Sequence, residues 1–99
     1  MEKWLYVMQL LKGENYRKMT MEVVNRHVDN LRKLDEDGNL EMCGVYKGFT
    51  NVAGMIILKA ESLAEAKKLC KREPLVAEGY ATYTVNALQV ANKENNYLL

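Results

Sequence analysis

Segments of distinct hydrophobic period follow one another along the 99 residues in the order strand, helix, strand, strand, helix, strand. That order predicts an α+β chain of the ferredoxin-like βαββαβ kind: a four-stranded antiparallel sheet with two helices on one face. Three observations carry the prediction. Two 3.6-period segments each open on a capping residue. The strand-like segments lie on either side of them in a split βαβ pattern. The single proline, Pro74, punctuates the end of the second helix.

The first strand is read from Lys3 to Leu11, short, aromatic and partly β-branched, and it closes on the turn residues Lys12-Gly13-Glu14-Asn15. After a polar loop, Thr20 caps a helix with Glu22 in its first turn, where negative charge suits the dipole. Val24, His27, Val28, Leu31 and Leu34 fall on one face; Arg26, Asn30, Lys33 and Asp37 fall on the other, and Gly38 suits the left-handed residue past the last turn. Leu40–Tyr46 reads as the second strand and Val52–Ala60 as the third. Ser62 and Glu65 form an S-x-x-E capping box. Leu63, Ala66, Leu69 and Cys70 give the second helix its inner face, with Lys67, Lys68 and Lys71 outside. Glu73 before Pro74 takes an N-cap position for a short turn through Ala77, closed by Gly79. Tyr80–Leu88 alternates as a half-buried strand, and the polar tail from about Asn92 is expected to fray, with Tyr97-Leu98-Leu99 its candidate for docking.

Composition bounds the function. Hydrophobic residues make up 48% and charged residues 27%, with 14 Lys and Arg against 13 Asp and Glu, which places residues 1–99 as a single folded domain. The mixed charge offers no basic stripe, so no nucleic acid is expected as a partner. An RNA-recognition domain shares the βαββαβ order, but Met55–Leu58 lacks the stacking aromatics such a domain needs. No apolar run approaches a membrane span. The opening Met1-Glu2-Lys3-Trp4 has no signal-peptide character, and the expected location is cytoplasmic. Cys43 and Cys70 read as free, small hydrophobes, and with one histidine neither a metal nor a cofactor is expected.

The central strands are apolar on both faces: Trp4, Tyr6, Met8 and Leu10 against Leu5, Val7 and Leu11 in the first, Ile56 and Leu58 against Met55 and Ile57 in the third. Two helices cover one face, so the other is expected to pair with a second copy about a two-fold axis, unless loops and the tail fold over it.

His27 has two readings: a core histidine satisfied by a carbonyl, or a general acid/base set by a neighbouring carboxylate. Glu73 likewise caps backbone N–H groups or points into the groove of His27. Tyr6, Tyr46 and Tyr80 (with Tyr83) either line a small-molecule pocket or fill core and interface. The run Asp35-Glu36-Asp37 closes a helix and reads as solvated.

The chain resembles the YCII-related (YciI-like) family from Trp4 to about Asn92. The residues that carry the resemblance are the opening apolar strand; Thr20, His27, Leu31, Leu34 and Gly38; Gly44; Gly54-Met55-Ile56-Ile57; Glu61-Ser62-Leu63-Ala64-Glu65-Ala66; and Glu73-Pro74-Leu75-Val76-Ala77-Glu78-Gly79-Tyr80. The last is similar to the family's Asp-Pro-aromatic signature ending in Gly, with Glu73 where Asp is usual and Leu75 where an aromatic is common. Gly44-Val45 stands where the family usually has Gly-Pro. The resemblance implies a dimeric ferredoxin-like fold and a site built on His27 and Glu73. Some relatives act as dehalogenases on chlorinated muconolactones. The expected function is general acid/base chemistry by His27, oriented by Glu73, on a small organic molecule such as a lactone or an enol. The alternative is a non-catalytic small-ligand-binding or assembly module of the same fold.

Overall fold

A computed structural model describes residues 2–48 and 50–99. Its elements are β1 (Trp4–Lys12), α1 (Met21–Glu36), β2 (Leu40–Val45), β3 (Val52–Ala60), α2 (Leu63–Arg72), the one-turn α3 (Pro74–Ala77) and β4 (Ala81–Leu88). The sheet order is β2-β3-β1-β4, with every neighbouring pair antiparallel, which is the ferredoxin-like arrangement. Each helix belongs to a crossover that skips one strand, so α1 and α2 lie on the same side of the sheet.

Register fixes which residues share a face. Met8 stands between Ile56 and Val85, and Tyr6 between Leu58 and Ala87. This even-numbered row of β1 faces the helices. Tyr6, Met8, Leu10, Ile56, Leu58, Ala60 and Ala81 are buried there against Val23 and Leu34 of α1, Ala66, Leu69 and Cys70 of α2, and Leu75 of α3. The odd row, Leu5, Val7 and Leu11, shares the open face with Met55 and Ile57 and is half-buried within the chain.

The local signals act where they stand. Thr20 accepts from the Val23 N–H, and Ser62 Oγ accepts from the Glu65 N–H. The return bond of the Ser62/Glu65 box falls on the Glu61 N–H, one residue before the cap. Gly38, at φ +75°, takes the left-handed position after α1, a conformation costly for any residue with a Cβ, and its carbonyl accepts from Lys3 Nζ at 2.9 Å.

Four expectations need correction. The buried stripe of α1 is centred on Val23 and Leu34, while Val24, Val28 and Leu31 are half-buried; Asn30, expected outside, is half-buried, with a buried Nδ2 that has no partner among the described residues. Leu63, expected on the inner face of α2, is exposed at the first residue of that helix. Cys43 is exposed, because β2 is an edge strand whose residues 41–45 are open to solvent. The tail is ordered rather than frayed: Asn92 caps it, accepting from the N–H groups of Glu94 and Asn95, and two tight turns span Lys93–Leu98 across a kink. Tyr97, Leu98 and Leu99 nevertheless remain exposed, so the tail does not bury them on the open face.

Candidate functional site

Small residues open a cavity at one end of the helix-side layer. Between α1 and the β2–β3 edge the floor carries Cys43, Gly44, Ala53 and Gly54, too short to reach the helix above. A Cβ on Gly54 would lie 2.5 Å from the Gly44 carbonyl oxygen, so the strands approach this closely only because residue 54 has no side chain. The cavity is about 250 Å3, and Val24, His27 and Leu31 of α1 form its roof.

His27 reaches this cavity from one crossover and meets Glu73 from the other. Its Nδ1 forms a hydrogen bond with Glu73 Oε1. Glu73 is 1% exposed and is the one buried charged residue among those described. Its position follows from sequence: Pro74 starts α3, and Glu73 is the cap, with Oε2 accepting from the Leu75 N–H at 2.6 Å. The two oxygens divide the work, one holding the backbone turn and the other the imidazole. Both readings of Glu73, cap and partner of His27, therefore describe the same carboxylate.

A carboxylate can only accept, so Nδ1 carries the proton in this pair. That leaves Nε2 without a hydrogen-bond partner among the described residues, and in the neutral ring its lone pair is free to take a proton. The rest of the lining is mostly apolar, with Leu10, Met19, Ile56 and Leu75 around the imidazole. Two surface groups steady α3 against α1: Arg26 donates from Nε and Nη2 to the two Glu78 carboxylate oxygens, and this holds the Glu78 carboxyl below its ordinary range.

The three tyrosines named from sequence lie elsewhere. Tyr6 is in the core beneath the helices at 6% exposure. Tyr46 is on the open face, donating to Gln9 Oε1 at 3.1 Å. Tyr80 packs beside α3, its N–H bonded to the Leu75 carbonyl. None of them lines the His27 cavity. The phenol that does is Tyr16, from the loop after β1, and the exposed thiol of Cys43 lines it too. The available signal for Tyr16 is an aromatic residue set in an otherwise polar turn between Gly13 and Thr20. Among the described residues no group of three or more His, Cys, Asp or Glu comes together in a way that would hold a metal ion. Nor is any helix among them long and apolar enough to cross a membrane.

Known proteins give this geometry a setting. A solved structure titled as the 5-chloro-2-hydroxyhydroquinone dehydrochlorinase TftG of Burkholderia phenoliruptrix AC1100, in complex with 2,5-dihydroxybenzoquinone, superposes with a TM-score of 0.71. The match covers 93% of this chain and 99% of that one at 16% identity, and it establishes a shared fold. The uncharacterized protein YjpA of Bacillus subtilis (strain 168) is 30% identical over 82 residues, spanning 83% of this chain and 91% of its own. The model of the YCII-related domain matches residues 5–89, nearly the whole of the four-stranded unit described above, and the chain belongs to that family.

Proposed function

We propose that the chain is a homodimeric enzyme that transfers a proton to or from a small, flat organic molecule bound in the His27 cavity. The observation that carries this reading is the buried Glu73 carboxylate engaged with His27 Nδ1 beside an apolar cavity. A core histidine needs one carbonyl; a buried carboxylate costs desolvation, and here it fixes one tautomer of a ring that lines an open space. In the proposed step Nε2 removes a proton from an acidic C–H or O–H of the substrate. His27 is the catalytic base and Glu73 its positioning residue, stabilising the imidazolium that forms. The cavity, at about 250 Å3, has room for a substituted six-membered ring, since a dry cavity of about 150 Å3 admits benzene. The dehydrochlorinase of the same fold supports a substrate of the hydroxyquinol class. There, proton removal coupled to departure of chloride balances the reaction within the substrate, without an oxidant.

The second copy covers the open face. Leu5, Val7, Leu11, Met55 and Ile57 make the open face of the two central strands largely apolar, interrupted by Gln9 and edged by Lys59, and the exposed tail does not bury its own apolar residues there. The exposed free thiol of Cys43 suits a reducing compartment, in keeping with a cytoplasmic location.

Chloride release from 5-chloro-2-hydroxyhydroquinone tests the chemistry, and binding of 2,5-dihydroxybenzoquinone, followed at the His27 imidazole C–H resonances, tests the site. His27→Gln is expected to lower turnover by about 10²–10⁴-fold, the usual contribution of a general base. Equal turnover by H27Q overturns the role of His27. Binding without any turnover by the parent chain favours the non-catalytic ligand-binding reading. Sedimentation of Val7→Lys tests the dimer: the parent chain is expected at twice the mass of the variant, and a monomeric parent refutes the pairing.

A further inference from the structure

The His27 cavity has a neighbour that the acid/base reading does not use. Tyr16 lines that cavity and also a second, polar basin whose wall includes Lys12, Glu14, Arg17, Thr50 and Asn51. Lys12 belongs to the helix-side row of β1, since it pairs with the buried Ala81, and its Nζ stands 5.4 Å from the Tyr16 ring centroid. The phenol ring thus borders both an apolar space holding an imidazole and a basin holding an ammonium.

The Tyr16 loop is held in place. Gly13 donates to the Tyr80 carbonyl at 3.1 Å, and a Cβ at Gly13 would crowd that oxygen at 3.0 Å. Tyr16–Lys18 forms a 3-10 turn in which the Met19 N–H returns to the Tyr16 carbonyl. Among the described residues neither Lys12 nor Arg17 is paired with a carboxylate, although Glu14 lies on the same wall. Two cations against one carboxylate leave the basin with an excess of one positive charge. Unpaired cations beside neutral hydrogen-bonding groups, bordered by the same Tyr16 as an apolar cavity, are complementary to a ligand with an apolar ring and an anionic end.

We infer that the two spaces form one site, and that its ligand carries a carboxylate held by Lys12 and Arg17 while its ring lies beside His27, with Tyr16 as their common wall. The inference rests on the reading of the His27 cavity as a ligand site and adds the charge and polarity of the substrate. It makes Lys12 and Arg17 specificity residues, distant from the proton transfer.

The probes are 4-hydroxybenzoate and its neutral analogue 4-hydroxybenzyl alcohol, titrated into the whole chain while the His27 imidazole and backbone amide resonances are followed. The carboxylate is expected to bind about 10-fold more tightly, as one charge-assisted hydrogen bond in a half-open site provides. Lys12→Met together with Arg17→Met is expected to abolish that preference and leave affinity for the alcohol unchanged, and Arg17→Lys in the parent chain to retain most of it. Both side chains are exposed at an element end or loop, and an unchanged amide spectrum verifies the fold of each variant. Equal affinity of the two probes, with both shifting His27, overturns the anionic end and leaves the His27 site standing. Preference that survives the double substitution overturns the assignment to Lys12 and Arg17. Failure of either probe to perturb His27 overturns both readings together.

Discussion

Replacing Glu73 separates its two bonds. In Glu73→Ala the Leu75 N–H loses its cap and the His27 Nδ1–H loses its acceptor, both in a site where the carboxylate was 1% exposed. Losing the cap on the Leu75 N–H costs about 0.5–2 kcal/mol and leaving the His27 Nδ1–H unsatisfied about 1–3 kcal/mol, so the sum is roughly 1.5–5 kcal/mol. For a chain of this length that lowers Tm by roughly 6–40 °C. Glu73→Gln keeps the shape but has one acceptor oxygen. With that oxygen on the Leu75 N–H, the amide NH2 faces His27 and reverses the bond: Nδ1 becomes the acceptor and the proton moves to Nε2. The stability cost is about 1–3 kcal/mol, and the nitrogen that the proposed chemistry needs is blocked. Glu73→Asp, one methylene shorter, is expected to keep the cap and release the ring, at about 1–3 kcal/mol for the Nδ1–H left without its acceptor. Urea denaturation gives the free energies, and the imidazole 15N shifts report the tautomer. An unchanged tautomer in E73Q, with a cost under about 0.5 kcal/mol, refutes the view that this carboxylate orients His27.

Other perturbations read other parts of the molecule. Iodoacetamide is expected to modify the exposed Cys43 in the native protein and to spare Cys70, which is wholly buried; mass spectrometry showing both labelled alike contradicts the burial. Burial also pushes the Cys70 thiol up from 9.0 to about 11, so the folded chain keeps its proton to higher pH than the unfolded chain does. Its contribution is therefore intact below about pH 9 and lost as pH rises towards about 11. That makes the parent chain's alkaline loss up to about 2–3 kcal/mol larger than that of Cys70→Ala, measured by denaturation at each pH. Gly54→Ala is expected to drive β2 from β3 beside the Gly44 carbonyl, costing about 1–3 kcal/mol and speeding amide exchange at Gly44–Tyr46; slow exchange there refutes the close approach. Asn30→Leu removes a buried amide nitrogen without a partner and is expected to be neutral or stabilising by up to about 1 kcal/mol. A larger loss would reveal a partner for that group.

The sheet was legible because its evidence is binary. Residues two apart on β1 and β3 must share a face, so Tyr6, Met8 and Leu10 separate from Leu5, Val7 and Leu11 whatever else the chain does. The helix gave a direction with less resolution: a 100° step places Val23 and Val24 at either margin of one stripe, and packing alone selects Val23 for the core. His27 and Glu73 could be named because each has a local mark, a lone imidazole on an apolar face and an acid in a proline-defined cap. The wall of the cavity has no such mark. Tyr16 reaches it because Gly13 docks the loop on the Tyr80 carbonyl, 67 positions away in numbering, whereas Tyr46, equally plausible by type, falls on the opposite face by one step of strand alternation. Cys43 escaped because apolar neighbours in sequence say nothing of whether a strand is central or at an edge.

His27 and Glu73 are separated by 46 positions and belong to different crossovers. Their encounter therefore requires that the second crossover has already closed over the sheet. A nascent or partly refolded chain with α1 in place but α2 and α3 undocked holds an imidazole with no fixed proton. The tautomer of one side chain thus reports whether the second crossover is docked, and its appearance in a refolding experiment marks the moment when the two halves of the chain become one object.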